Sequence, residues 1–303
     1  MLLNASNEVK GSIYILFSAL MYAILPILVK LSYSSGLGPG STLLLRYVFS
    51  FILLALLIKF IKHGRVLTLS PFVIAQGICL TASGLFYFFA LETLSAGLTT
   101  VIFFAHPVLV AILSIVVFKE RFVPRIFVGL ALALTGIALI SGLGGAPNTL
   151  SPTGIIYALV ACLCYALYSL IGQKTVSHGE PLSITATLSL LAVMIIIPIY
   201  PDDLSVIGNL TLQQLLITLL MAVLNTLLAV LFFLKGLQKI GATRATLLST
   251  MEPVFCLIMA FLILGETLTT TEFIGSTMVF GSMFLAIQRG DTSAALSSSG
   301  NSM

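Results

Sequence analysis

Apolar residues occupy long blocks of the chain, and polar residues are confined to short intervals between them. Ten blocks reach or approach the roughly 20 residues that a helix needs to cross about 30 Å of hydrocarbon. They are residues 11–33, 41–61, 71–91, 96–118, 124–143, 153–174, 182–200, 213–235, 242–264 and 272–289. The intervals carry the Gly, Pro and Asp residues that punctuate turns. The pattern predicts an all-α polytopic membrane protein with ten transmembrane helices.

The composition excludes a soluble globular domain. Apolar residues make up 59% of the chain and charged residues only 8%, whereas soluble domains are roughly 25% charged. The four cysteines all lie inside apolar blocks. Cys162 and Cys164 are two positions apart, which places their thiols on different faces of a helix, so we expect neither a disulfide nor a metal site.

The second half of the chain is a divergent copy of the first. The stretch 94–122 recurs at 240–268, an offset of 146 positions, and the stretch 11–23 recurs at 154–166, an offset of 143. Each copy holds five spans, and because five is odd the second copy must enter the membrane upside down. Such inverted repeats are the architecture of secondary transporters, which bind substrate near the midplane between the halves.

Basic residues lie at alternate ends of the spans. Twelve of the 14 fall on one side, and Lys and Arg in short loops stay cytoplasmic. We therefore expect both termini in the cytoplasm and the protein in the inner (plasma) membrane. The predicted parts are a cytoplasmic N-terminus at 1–10, a first repeat at 11–143, an outer linker at 144–152, a second repeat at 153–289 and a disordered cytoplasmic tail at 290–303.

Two ionisable residues lie near the middle of spans four and nine. His106 and Glu252 each precede a proline, Pro107 or Pro253, which frees the backbone carbonyl four positions earlier. A charge at mid-bilayer costs at least about 2.5 kcal/mol, so such a group is a functional hypothesis. In one interpretation both side chains line a cavity, with Glu252 coupling transport to protons. In the other, they bond each other or the freed carbonyls.

Lys30 and Arg46 are the two basic residues that do not lie on the same side as the other twelve. They lie toward the outer ends of spans one and two, where together they would bind a carboxylate or other anionic group. The alternative is that Lys30 reaches the membrane interface and Arg46 bonds freed carbonyls.

Three tyrosines and one amide complete the set of candidate cavity residues. Pro26 should bend span one near Tyr22, whose repeat partner is Tyr165. Tyr87 of span three joins them, although aromatic rings at helical spacing are also ordinary packing. Asn225 lies near the middle of span eight and needs a hydrogen-bond partner in hydrocarbon.

The chain resembles the tandem EamA-type repeats of the drug/metabolite transporter superfamily over nearly all of residues 11–289. The residues that carry the resemblance are Ala96-Gly97-Leu98, Pro107-Val108, Phe118-Lys119-Glu120-Arg121, Gly129 and Gly136 in the first half, Ala242, Glu252-Pro253-Val254-Phe255, Leu264-Gly265-Glu266 and Gly275 in the second, and the pair Arg46-Tyr47. The resemblance implies a ten-helix exporter or exchanger with a central cavity lined mainly by spans one, three, four, six, eight and nine. Its cargo would be an amino acid, another metabolite or a drug.

The leading interpretation is a secondary transporter that exports or exchanges a small amphipathic metabolite, such as an amino acid, by alternating access. An alternative within transport is a multidrug or organic-cation exporter in which Glu252 neutralises the cargo. The rival of another class is an intramembrane enzyme or a channel, but the nucleophile, metal-pair and phosphate-loop motifs of enzymes are missing from the sequence. We expect no cofactor, metal or nucleic acid, and a monomer or homodimer.

Overall fold

The computed structural model describes residues 2–62, 64–94, 96–119, 123–140, 151–202, 208–259, 262 and 269–287. Within these ranges the chain forms helices joined by turns, and it contains no β-strand. The ends of the predicted fifth, ninth and tenth spans lie outside the described residues, as do most of the predicted linker and the whole predicted tail.

Thirteen α-helices and two π-helical stretches form the described part of the chain. The α-helices are α1 (Leu2–Ala23), α2 (Leu25–Ser34), α3 (Pro39–Leu57), α4 (Pro71–Thr93), α5 (Ala96–Phe103), α6 (His106–Phe118), α7 (Pro124–Ile140), α8 (Pro152–His178), α9 (Pro181–Ile199), α10 (Leu212–Met221), α11 (Ala229–Ser249), α12 (Glu252–Met259) and α13 (Thr270–Ile287). The π-helical stretches are Ile58–Lys62 and Ala222–Leu228, each continuous with its neighbouring α-helix.

Seven helical stretches in the described part are long and apolar enough to cross a membrane. They are Asn7–Ser34, Pro39–Phe60, Pro71–Ala90, Thr99–Phe118, Pro152–His178, Pro181–Ile199 and Leu212–Ser249. Helix α7 is also apolar but has only 17 residues. The prediction of an all-helical polytopic membrane protein is confirmed at this level.

Polar side chains are turned inward and large apolar side chains outward. Ser50, Thr81 and Ser114 are at most 2% exposed, whereas Val116 and Phe284 are 70% and 61% exposed. A soluble protein would not present apolar surface on this scale to water. The distribution is that of a protein whose outer surface contacts lipid.

Three helix breaks come just before prolines. The breaks are Ile24, Phe104–Ala105 and Thr250–Met251. Pro26, Pro107 and Pro253 each occupy the second position of the helix that follows. A proline in the first turn of a helix lacks only an N–H that would have no intrahelical partner, so each ring is tolerated there. The breaks free backbone carbonyls in the interior of the protein.

Helix α11 is interrupted at Gly241, where φ is 77° and ψ is 169°. This backbone conformation strains a residue with a side chain and is open to glycine. The N–H of Ala242, just past the break, donates a hydrogen bond of 2.7 Å to Oε1 of Gln173 in α8. The break therefore divides α11 into two segments, and α8 supports the turn between them.

Four helix pairs make the most extensive contacts: α1 with α11, α4 with α8, α7 with α13, and α3 with α9. Small residues allow the closest approaches. A Cβ built on Gly136 of α7 would lie 2.5 Å from the carbonyl oxygen of Gly275 in α13. At this crossing the two backbones are in direct contact. Small residues at helix interfaces in membranes allow this close approach.

Serine side chains join two of these helix pairs. The hydroxyl of Ser18 in α1 donates to the carbonyl of Ala229 in α11 at 2.7 Å. The hydroxyl of Ser83 in α4 donates to the carbonyl of Ala161 in α8 at 2.9 Å. Both bonds are buried, where a hydroxyl without a partner would be costly.

Candidate functional site

An aromatic cluster surrounds His106 at the break between α5 and α6. The imidazole lies 4.5 Å from the ring centre of Tyr165 and 5.3 Å from that of Phe103, both in tilted or edge-on contact. Tyr165 in turn contacts Tyr168 at 5.3 Å, and Tyr168 stacks on Phe233 at 5.8 Å. The cluster joins α5, α6, α8 and α11 inside the bundle.

His106 bonds the carbonyl that the neighbouring proline frees. Its Nδ1–H donates to the carbonyl oxygen of Phe103 at 3.0 Å, and the side chain is 1% exposed. Nε2 is buried and has no partner among the described residues. No hydrogen bond joins His106 to Glu252 in that part of the chain, so of the two partners weighed from the sequence the imidazole takes the freed carbonyl.

Glu252 opens helix α12 and is half-buried. Its carboxylate makes neither a hydrogen bond nor an ion pair with any described residue. It lies within electrostatic range of the hydroxyls of Tyr22, Tyr87 and Tyr165. The fold thus brings the predicted carboxylate and the three predicted tyrosines into one region.

The tyrosines come from three different helices, α1, α4 and α8. The hydroxyl of Tyr87 lies 3.3 Å from that of Thr100 in α5, and its ring contacts Phe103 at 5.0 Å. Tyr22 and Tyr165 both pack against the largest cluster of buried apolar side chains. Tyr22 and Tyr165 therefore each have an apolar ring in the core and a hydroxyl that can donate and accept hydrogen bonds.

Arg46 in α3 is 8% exposed. Its Nη2 donates to the hydroxyl of Tyr47 at 2.8 Å, and the guanidinium carbon lies 4.6 Å from the centre of that ring. The Nε group is buried without a hydrogen-bond partner in the described chain. Arg46 and Tyr47 are within electrostatic range of Tyr22, which connects them to the region around Glu252.

Asn225 lies in the π-helical stretch Ala222–Leu228 and is 1% exposed. Its Nδ2 donates to the carbonyl of Met21 in α1 at 2.5 Å, while Oδ1 has no partner among the described groups. Single π-helical turns inside α-helices are frequent at functional sites. The amide thus joins the helix of Tyr22 to α11 through the π-helical turn.

Two predicted residues are described only by their backbones. Lys30 and Pro26 lie in α2, and their side chains are outside the described part of the structure. The described residues contain no group of three or more His, Cys, Asp and Glu side chains arranged to hold a metal ion.

Sequence reasoning did not select Tyr168 or Tyr47 as a candidate site residue, although Tyr47 stands in the Arg46-Tyr47 pair that carries the resemblance. Tyr168 is 1% exposed, its hydroxyl has no partner within the described ranges, and it is within electrostatic range of Tyr22 and Tyr47. It follows Tyr165 by three positions, a spacing that places both on one helix face. That spacing was the signal available in the sequence.

Comparison with known proteins identifies the family. The family described as the EamA-like transporter family matches residues 9–142 and again residues 152–288. A solved crystal structure has the same fold, with a TM-score of 0.77 at 14% sequence identity, covering 92% of this chain and 96% of its own.

Curated relatives are named as transporters. The threonine/homoserine exporter RhtA of Escherichia coli K12 is 27% identical over 246 residues, which cover 78% of this chain and 77% of RhtA. An uncharacterized transporter of Clostridium kluyveri is 23% identical over 284 residues, covering 89% and 90% of the two chains. Another, from Archaeoglobus fulgidus, is 25% identical over 196 residues, covering 65% and 69%. Because the family match spans both halves of the sequence, the protein belongs to the EamA-like transporter family.

Proposed function

We propose that this protein is a secondary active transporter that exports or exchanges an amino acid or a related small solute by alternating access. As a family member it is a multi-pass membrane transporter of a small molecule. The observation that carries the proposal is the Glu252 carboxylate, which lies within electrostatic range of three tyrosine hydroxyls and has no bonded partner in the described chain. The name of the E. coli relative, a threonine/homoserine exporter, supports an amino acid as cargo.

The architecture that we propose is ten spans in two inverted repeats, at 11–143 and 153–289. The two matches of the family, at 9–142 and 152–288, support this division. A twofold axis between the halves requires that every contact between them have an image, in which each residue is replaced by its repeat partner. The contacts among the described residues can therefore be compared with the images that a twofold axis requires.

The serine bonds behave as such a pair. Adding 143 to Ser18 leads to Ala161, and subtracting 146 from Ala229 leads to Ser83. The bond from Ser18 to Ala229 therefore has as its image the bond from Ser83 to Ala161. Ser18 donates whereas its repeat partner Ala161 accepts, and Ala229 accepts whereas its repeat partner Ser83 donates. The helix geometry therefore repeats even though the side chains differ. Two such bonds at matching positions support a twofold relation of α1 and α11 to α8 and α4.

Glycine contacts repeat in the same way at the helix ends. A Cβ on Gly11 would meet Lys239 and Ile240 of α11 at 2.8 and 2.6 Å. A Cβ on its partner Gly154 would meet Thr93 and Leu94, which are the repeat partners of Lys239 and Ile240 at an offset of 146. The first helix of each repeat thus approaches the end of the third helix of the opposite repeat.

The crossing of α7 and α13 contains both members of an image pair. A Cβ built on Gly136 would lie 2.5 Å from the carbonyl oxygen of Gly275, and one built on Gly129 would lie 3.5 Å from that of Ser282. The offset of 146 converts Gly136 to Ser282 and Gly275 to Gly129. This crossing is where a twofold axis would pass.

These relations give the mechanism that we propose. Two inverted halves related by a twofold axis rock against each other and expose a site between them to each side in turn. Both termini lie in the cytoplasm, as the distribution of Lys and Arg indicates. Glu252 is the coupling site: it binds a proton on one side of the membrane and releases it on the other, and cargo moves in exchange.

One observation favours a second candidate function, the export of organic cations. An unpaired carboxylate among tyrosine rings is also a site for a cation, which the ring faces attract. In that case Arg46 would lie outside the site, because a cation gains nothing from a second positive charge. Amino acids and organic cations are therefore tested as separate cargoes in one experiment.

The purified protein in liposomes tests these alternatives. Vesicles loaded with a mixture of amino acids should lose some of them selectively and at a rate that saturates with concentration, as measured by mass spectrometry. Protein-free vesicles are the control. If no amino acid leaves faster than from the control, the amino-acid proposal is wrong, and vesicles loaded with organic cations then test the second candidate.

A further inference from the structure

We propose that Glu252, when protonated, donates its carboxyl proton to the backbone carbonyl of Ser249, which Pro253 keeps free of a helical partner. The inference rests on the proposed function, in which Glu252 carries the coupling proton. It names the group that distinguishes the two protonation states of that side chain, and it gives the helix break before α12 a role in transport.

The breaks inside spans four and nine have the same backbone structure. At the first break the N–H of Ala105 donates to the carbonyl of Ile102 at 3.2 Å. At the second the N–H of Met251 donates to the carbonyl of Leu248, also at 3.2 Å. The helix then resumes at both breaks through a bond to the carbonyl of the same residue, Ala105 or Met251. An offset of 146 converts every member of the first break into its counterpart in the second.

At the first break the freed carbonyl has a side-chain donor. The freed carbonyls are those of Phe103 and Ser249, each four positions before a proline. The Nδ1–H of His106 donates to the Phe103 carbonyl at 3.0 Å, which an imidazole can do while it is neutral. Glu252 occupies the position of His106 in the second break, three residues after Ser249. An ionised carboxylate only accepts hydrogen bonds, so Glu252 can fill this role only when it is protonated.

The surroundings of the second break leave the Ser249 carbonyl open to such a donor. Ser249 and Thr250 are 7% and 1% exposed, so the break is largely shielded from water. Their hydroxyls donate to other carbonyls, those of Thr246 and Leu247, both at 2.7 Å. The proline of the break supplies no N–H. Because a buried carbonyl without a donor is costly, a proton on Glu252 gains a bond there.

The described titratable groups around Glu252 give the ionised side chain a different set of partners. Helix α12 packs against α1 and α7, and α7 carries one charged residue, Arg125, in its first turn. Cys256 lies one turn further along α12 itself. The groups within electrostatic range of Glu252 are tyrosines from α1, α4 and α8: Tyr22, Tyr87 and Tyr165. An ionised carboxylate is repelled by the Ser249 carbonyl oxygen and attracted to hydroxyls that donate. Protonation therefore moves Glu252 from the tyrosines to the break.

Pro253→Ala tests the inference by removing the acceptor and leaving the carboxyl group in place. Alanine restores the N–H that bonds the carbonyl four positions earlier in a continuous helix, so protonated Glu252 loses this partner. Pro107→Ala is the matched control, because it makes the same change at the equivalent break. In proteoliposomes we expect a pH gradient to accelerate amino-acid efflux through the wild type and Pro107→Ala. In Pro253→Ala the ratio of efflux with the gradient to efflux without it should fall toward unity.

Infrared difference spectroscopy of the protein in detergent is a second measurement that needs no transport. Acidification should produce a carboxyl C=O stretching band that is absent from Glu252→Gln. A carboxyl that donates a hydrogen bond absorbs at a lower frequency than a free one, so the band should shift to higher frequency in Pro253→Ala and stay in place in Pro107→Ala.

Three results would overturn the inference: an unshifted band in Pro253→Ala, gradient-driven efflux unchanged in that variant, or gradient dependence lost equally in both proline variants. Wild-type efflux that ignores the gradient would instead refute the proposed coupling itself. Gradient-driven efflux in the wild type together with an unshifted band in Pro253→Ala would refute only the role of the Ser249 carbonyl.

Discussion

Replacing Gly136 with alanine tests a helix crossing at which two backbones are in direct contact. The added Cβ would lie 2.5 Å from the carbonyl oxygen of Gly275, 2.8 Å from Cγ2 of Val279 and 3.2 Å from Cβ of Met278. Carbon–oxygen contacts are normally about 3.3 Å or longer. The helices must therefore separate by roughly 0.8 Å, because the nearest atom belongs to backbone that no side-chain rotation can move.

Overpacking of this kind costs about 1–3 kcal/mol. Alanine recovers up to about 1 kcal/mol through its better helix propensity. We expect Gly136→Ala to lower the free energy of unfolding by about 1–2 kcal/mol. Thermal or denaturant unfolding of the purified protein in detergent, followed by circular dichroism, measures the difference.

Gly84→Ala is the matched control. Gly84 lies in helix α4, and a Cβ built there meets nothing within 4 Å. The same substitution should leave stability unchanged or raise it by up to about 1 kcal/mol. If Gly136→Ala is as stable as Gly84→Ala, the described approach of α7 to α13 is wrong.

Four further substitutions test bonds between helices. Ser18→Ala and Ser83→Ala each remove one bond of the proposed image pair, so both should lower unfolding stability by a similar amount, about 0.6 kcal/mol; a large loss for only one would contradict the pairing. Gln173→Leu leaves the N–H past the Gly241 break without its partner and should cost about 1–3 kcal/mol, whereas an unchanged unfolding curve would show that the bond is absent. Asn225→Leu should cost at most about 1.7 kcal/mol and slow transport more than it lowers stability; equal transport per folded molecule would remove the amide from the site.

Local chemistry made the helix breaks predictable. Pro26, Pro107 and Pro253 lie in apolar blocks, and a proline inside a helix removes one backbone hydrogen bond and clashes with the carbonyl four positions earlier. The breaks at Ile24 and at the two later positions follow from the chain alone. The assignment to the membrane proteins follows equally directly, because helices this long and apolar are suited to the interior of a bilayer and not to water.

Partners across the bundle were beyond the reach of the sequence. The bond from His106 to the Phe103 carbonyl is local and was one of the partners weighed from the sequence, whereas the contact of its ring with Tyr165 depends on the placement of α6 against α8. Likewise, the π-helical stretch around Asn225 leaves no mark in the apolar pattern. Such choices depend on the relative positions of helices far apart in the chain.

We propose that Glu252 couples cargo movement to protons. The most direct test is amino-acid efflux from proteoliposomes with and without an imposed pH gradient, in the wild-type protein and in Glu252→Gln. Glu272→Gln is the control, since among the described residues that carboxylate bonds only the neighbouring backbone N–H and hydroxyl of Thr269. We expect gradient-driven efflux in the wild type and in the control, and efflux independent of the gradient in Glu252→Gln. Gradient-driven efflux at the wild-type rate in Glu252→Gln would contradict the claim.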